Sequence, residues 1–171
     1  MRKIAVTAGI QENPGEAQAR RLESVYQELA ALLHRPDVAQ RLRAAPGESE
    51  WSAMQTLGHT VEMIPYWLSH CRTLIAATAG PPHFGRTLDA PERLAGVEHG
   101  AAGTPDEFLR RLNDEIQAAA QTIRSMSAAE RGKKGLHLRR GEMTVADVVE
   151  VFIVAHAEEH VAQVRTALSN Q

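Results

Sequence analysis

Two histidines four residues apart, His156 and His160, carry the clearest chemical signal in the sequence. On a helix that spacing stacks both side chains on one face about one turn apart, so two imidazoles reach one point. Val149, Phe152, Ile153 and Val164 share the face and direct it toward a core, where an imidazole needs a partner. Hydrogen bonds within the core would satisfy that need, and so would one divalent metal ion; the paired spacing favours the metal. A third ligand is then required, and His59 is the best candidate. It shares its face with Thr56, Met63 and Tyr66. Glu62 follows three residues later and reads as a fourth ligand, an orienter of His59 or a general base, against the plainer reading of a surface glutamate.

Competing motifs fit less well. His156-Ala157-Glu158-Glu159-His160 has alanine where H-E-x-x-H needs glutamate. It matches the inverted H-x-x-E-H pattern, with Glu159 as the would-be base. That protease pattern needs a further ligand well downstream, and eleven residues follow His160. Paired E-x-x-H motifs of di-iron carboxylate bundles do not occur. His70 and Cys71 lie about three turns from His59, too far to share its metal. Cys71 reads as a small buried residue, and His34, His83, His99 and His137 as solvated positions at helix ends or in loops. In His83-Phe84-Gly85-Arg86, a fold over the site would let Arg86 bind an anionic substrate. No G-x-S-x-G, Walker or G-x-G-x-x-G pattern appears.

Four helical segments must position these residues. The first spans about Asn13 to His34, with Asn13 as cap, Pro14 at the first helical position and Glu16 completing a capping pattern. Leu22, Val25, Tyr26, Leu29, Leu32 and Leu33 form its apolar stripe. The second spans about Ser52 to Ala79, opened by a Ser52–Gln55 capping box and stopped by Gly80-Pro81-Pro82; Pro65 inside it predicts a kink or a split. The third starts at Thr104-Pro105 and buries Phe108, Leu109, Leu112, Ile116, Ala120 and Ile123. The fourth starts at Thr144, with Asp147 three residues on and Met143 and Val148 spaced as a hydrophobic staple, and runs to about Leu168. The stretch from Gly80 to Gly103 is long for a bundle loop and reads as a site cover or a crossover. The stretch from Ser127 to Glu142, with Arg131, Lys133, Lys134, Arg139 and Arg140, reads as a solvated loop, with an anion-holding loop beside a site as the alternative.

These elements specify an all-α four-helix bundle, and the histidines set its topology. His59 lies about 10 Å from the start of its helix, and His156 and His160 roughly 12–18 Å from the end of theirs. Those levels meet only if helices 2 and 4 are antiparallel. Up-down-down-up order achieves this, with the long connection between helices 2 and 3 crossing the bundle. Residues 1–12 form an N-terminal extension and 13–171 a single domain.

Composition bounds the rest. A chain of 171 residues with 43% hydrophobic and 23% charged residues is an ordinary globular composition. A net charge of −2 gives no field to recruit nucleic acid or an anionic membrane. Neither Trp51 nor Trp67 lies in a basic patch suited to base stacking. No apolar stretch has the length of a membrane span and no signal peptide is read, so a cytoplasmic location is expected. The single cysteine agrees with a reducing compartment.

The stretches E-W-S-A-M-Q-T-L-G-H-T-V-E-M around His59 and G-E-M-T-V-A-D-V-V-E-V-F-I-V-A-H-A-E-E-H around the final pair, in this order and spacing, resemble the DinB-like superfamily of metal-dependent enzymes. That superfamily includes thiol-dependent transferases and isomerases. The resemblance covers nearly the whole chain. It implies one metal ion, often nickel or zinc, held by His59, His156 and His160 with open positions left to water. It implies a low-molecular-weight thiol co-substrate, and a homodimer as often found among relatives; it does not imply DNA binding. Some members place a glutamate at the first histidine of the last helix, and His156 departs from that variant.

Two functions follow as expectations. In the first, the metal lowers the pKa of a thiol or water, Glu62 or Glu159 moves a proton, and a small-molecule electrophile accepts the thiol or is hydrolysed. In the second, the bundle binds metal or a ligand without catalysis, or dimerises.

Overall fold

The protein, described here from a computed structural model, is defined over residues 13–169; the extension expected at 1–12 lies outside the described residues. Helix α1 (Pro14–Leu33) begins where the Asn13 side chain accepts the Gly15 N–H at 3.0 Å. Glu16 does not complete that cap; its carboxylate goes to Arg124 instead. A 3-10 turn, Pro36–Val38, follows. Helix α2 (Ala53–Ala76) carries the expected reciprocal Ser52–Gln55 box. Pro65 neither kinks it enough to end it nor splits it: the helix is unbroken for 24 residues. The apolar face around it, with Met63, Ile64, Trp67 and Leu68 buried, offsets the lost backbone bond.

The connection from Ala77 to Thr104 is not a bare loop. It contains strand β1 (His83–Phe84) and helix α3 (Pro91–Ala102). Helix α3 runs back along α2, with Gly96 beside Gly58 and Glu62, and Gly100 beside Met54 and Gly58. A Cβ added at Gly58 or Gly100 would collide with the facing backbone, so only glycine allows this approach. Helix α4 (Pro105–Ser125) then buries all six expected residues, Phe108 through Ile123.

The stretch read as a solvated loop is ordered structure. Helix α5 (Ala128–Arg131) leads into strand β2 (Lys134–His137), which pairs antiparallel with β3 (Gly141–Thr144) and parallel with β1. In register, His83 faces Leu136 and Lys134 faces Thr144. The last helix runs without interruption through α6 (Val145–Val148), a π-helical turn (Val149–Val154) and α7 (Ala155–Ser169), opened by a Thr144–Asp147 capping box.

Contacts fix the directions. His34 meets Asp106 at one end of α1 and Glu16 meets Arg124 at the other, so α1 and α4 are antiparallel. Gln18 bonds Glu150 while Glu28 bonds Arg165, so α1 and the last helix are parallel. Trp67 stacks on Phe152 while His59 meets His160, so α2 and the last helix are antiparallel. The bundle is therefore up-down-down-up. The core is one cluster that includes Leu22, Leu29, Leu57, Ile116 and Ile153. No described helix is long and apolar enough to cross a membrane.

Candidate metal centre

His59 sits two turns into α2, and His156 and His160 occupy the first turns of α7. Antiparallel packing brings the three rings together: centroids lie 5.9 Å apart for His59–His156, 5.0 Å for His59–His160 and 4.4 Å for His156–His160. One nitrogen from each ring can be chosen so that all three lie within 4.8 Å of one another. The π-helical turn just before α7 widens the helix, and it faces Phe152 onto Trp67 with ring centroids 4.2 Å apart. Such turns recur beside functional sites.

The polar atoms are unusual. Among the described residues, His59 Nδ1 and His160 Nε2 are buried and have no hydrogen-bond partner. Glu62 Oε2 stands 3.5 Å from His59 Nδ1, an ion-pair distance that leaves this nitrogen without a hydrogen bond. His160 donates from Nδ1 to Gln163 Oε1 at 2.8 Å, which leaves the Nε2 lone pair free. Burial first, and the neighbouring imidazole second, push His156 down to about 4 and His160 down to about 3. Burial also lowers His59, against the pull of Glu62. All three rings are therefore neutral at pH 7, each with a lone pair to offer. Leaving a buried acceptor unpaired costs about 1–3 kcal/mol, and His160 Nε2 is one. A divalent cation would satisfy it, and an all-imidazole donor set suits the borderline metals.

A sequence model of the DinB superfamily matches residues 21–164, from within α1 to within α7. The chain belongs to the DinB superfamily. No curated protein matches it. Among solved structures it is similar to YfiT from Bacillus subtilis, a probable metal-dependent hydrolase with an unusual four-helix bundle topology, at a TM-score of 0.69 and 13% identity, covering 98% of this chain and 91% of that one. At that identity the likeness speaks to the fold.

Two cavities open onto the histidines of this DinB chain. One, of about 460 Å³, exposes His59 and His156 beside Trp67 and Phe152; the other, of about 510 Å³, exposes all three histidines beside Trp51 and Gln163. The other expected residues are placed as follows. Glu62 is no surface glutamate: Arg86 grips both its oxygens, and burial, which would raise its pKa, is outweighed by His59 and Arg86. Arg86 does fold over the site, but its charge is spent on Glu62 and its plane lies 3.9 Å over the Tyr66 ring. Glu159 borders the first cavity, largely exposed, 3.8 Å from His156 Nδ1.

Sequence reasoning missed several neighbours. His137 is buried, not solvated: it packs against Phe84 and Phe152, and its Nδ1 accepts the Arg139 and Arg140 N–H groups. Arg93 of α3 lies over Trp51, which itself meets His59 edge-on. Arg139 and Arg140, which the sequence offered only under the alternative of an anion-holding loop, line the first cavity. Strand β2 gave no usable signal, since its buried positions, Gly135 and His137, are not apolar side chains at alternating places. Cys71, by contrast, is buried as expected, and burial pushes its thiol up to about 12, which makes it inert at neutral pH.

Proposed function

We propose that this protein is a metal-dependent enzyme in which His59, His156 and His160 hold one divalent ion, nickel or zinc, and act on a small-molecule substrate in the adjoining cavity. The observation that carries this reading is the convergence of three imidazoles, among which His160 keeps a buried nitrogen with no hydrogen-bond partner among the described residues. Bound there, a divalent ion supplies the positive charge that lowers the pKa of a thiol or water. Gln163 holds His160 in the tautomer that presents Nε2. Glu62, held by Arg86, keeps a negative charge beside His59 and orients its ring; as the base it is poorly placed, because both oxygens are already engaged. Glu159 is the better proton acceptor, since among the described residues no arginine or lysine pairs with it and it borders the cavity.

Transfer of a low-molecular-weight thiol to an electrophile is the preferred reaction. Two cavities meeting at one histidine cluster give separate places for two reactants. Hydrolysis is the second reading, favoured by the fold shared with YfiT. The open cavities speak against a purely structural ion, which would be enclosed by four protein ligands. Elemental analysis of protein purified without chelator, followed by assay against a panel of thiols and esters, tests the reading. About one ion per chain and metal-dependent turnover are expected; no bound ion in protein offered nickel and zinc would overturn it.

A further inference from the structure

The cavity that exposes His59 and His156 is cationic in a protein that carries a net charge of −2. Arg86, Arg93, Arg139 and Arg140 all line it. Glu62 neutralises Arg86, and Glu159 is the only carboxylate on the wall. Among the described residues, Arg93, Arg139 and Arg140 have no carboxylate partner. Nor are they loosely held. Arg93 donates to the Leu88 carbonyl at 2.7 Å and lies 4.7 Å over the Trp51 ring. The Arg139 and Arg140 backbone is pinned by two hydrogen bonds at 3.2 Å to the buried His137 ring, and the Arg140 guanidinium stands 5.2 Å over Phe152. Gly85, with φ +107°, passes so close to His137 that a Cβ there would collide with the ring, which locks β1 against the hairpin. Guanidiniums along one wall fit an oxyanion, and Trp67 and Phe152, stacked on each other, give the same cavity an apolar wall against which the body of such a molecule can lie.

We propose that this cavity binds a small substrate bearing a carboxylate or phosphate on an aromatic or similarly flat body, with Arg139, Arg140 and Arg93 holding the oxyanion and Trp67 and Phe152 the body. The proposal rests on the metal reading only for the statement that the bound molecule is the substrate. Binding itself needs no metal, so the two can fail separately.

The experiment uses the full chain treated with chelator, and follows the fluorescence of its two tryptophans, which both border the cavities. Phenylphosphate, phenylacetate and benzyl alcohol are titrated in parallel. Either anion is expected to bind at least about tenfold more tightly than the neutral alcohol, and to weaken with added salt. A preference for phenylphosphate or for phenylacetate assigns the anion. Arg139→Ala/Arg140→Ala, with an unchanged melting temperature, should weaken anion binding at least about tenfold, whereas Arg110→Ala on α4 should not. His160→Ala, treated with chelator in the same way, should keep the wild-type anion affinity, because His160 does not line this cavity. Equal binding of alcohol and anions, no binding at all, or wild-type anion affinity in the double variant would each overturn the proposal.

Discussion

The two faces of the last helix treat polar groups in opposite ways. Toward α1, Glu150 takes hydrogen bonds from Gln18 and Arg21, Glu158 takes two from Arg21, and Arg165 reaches Glu28. Toward α2, His160 keeps an unpartnered nitrogen and His156 faces two cavities. The first face pairs its carboxylates within the protein, although Arg131 Nη1 beside Gln18 is buried without a hydrogen-bond partner among the described residues; the second leaves an imidazole lone pair waiting beside two cavities. Folding alone selects against the second condition, because each unpaired buried group costs stability. The difference locates function without any appeal to motif.

The sharpest way to break this comparison is to exchange the roles of the faces. His160→Ala should reduce bound metal, measured by elemental analysis, from about one ion per chain to below about 0.1. Glu158→Ala, on the other face two residues away, should leave the metal content unchanged. Equal losses in both variants would mean that the ion is not held by the histidines.

A second test removes the element that carries Arg93 over the site. Gly100 meets the Gly58 backbone and the Met54 carbonyl, so Gly100→Leu must push α3 off α2. A loss of about 3 kcal/mol or more in denaturant unfolding is expected, the upper range for overpacking. Gly132→Ala, where an added Cβ meets nothing closer than 3.5 Å, should cost little.

These two tests also mark what was legible in the sequence. The histidine triad, the caps at Ser52 and Thr144 and the buried face of α4 were readable because each depends on short-range spacing within one helix. The antiparallel relation of α2 and the last helix was readable because the triad demanded matching levels. Helix α3 was not, because its pattern is weak and three of its twelve residues are buried, two of them glycines that pack by absence of a side chain. The sheet was missed because its strands are two to four residues long, below the length at which alternation can be told from chance. Arg93 joins the site only through the missed helix α3, whereas Arg139 and Arg140, which the sequence offered only as an alternative anion-holding loop, reach it through the turn between β2 and β3.

Glu62 and Arg86 provide a third, smaller test. Both are mostly buried, at 18% and 8% side-chain exposure, and Glu62→Gln leaves the arginine without its counter-charge. Destabilisation of about 3 kcal/mol in denaturant unfolding is expected. Glu62→Gln combined with Arg86→Met should recover much of it, since the cost lies in the orphaned charge. Failure to recover would assign the loss to the His59 contact instead.

Acid should separate the faces more gently. In chelated protein His156 and His160 stay neutral down to about 4 and about 3, while histidines of the unfolded chain protonate near 6.5. Between those values the unfolded state holds more protons. Their contribution to stability is therefore fully present above about pH 6.5 and is lost as the pH falls through that window. His156→Ala should flatten this part of the pH–stability profile, measured by thermal melting from pH 7 to 4.

The smallest effect is expected at a residue that makes several hydrogen bonds. Arg21 engages two carboxylates through four contacts, yet its side chain is 41% exposed, as are Glu150 and Glu158 to a similar degree. In water-accessible surroundings such pairs gain little over hydration, so Arg21→Ala should cost about 0–1 kcal/mol, and less in high salt. Metal content should not change. If Arg21→Ala instead lowered metal content, the α1-facing carboxylates would be setting the rotation of the last helix and hence the direction of His156 and His160. The paired face would then be a support for the site rather than a separate region.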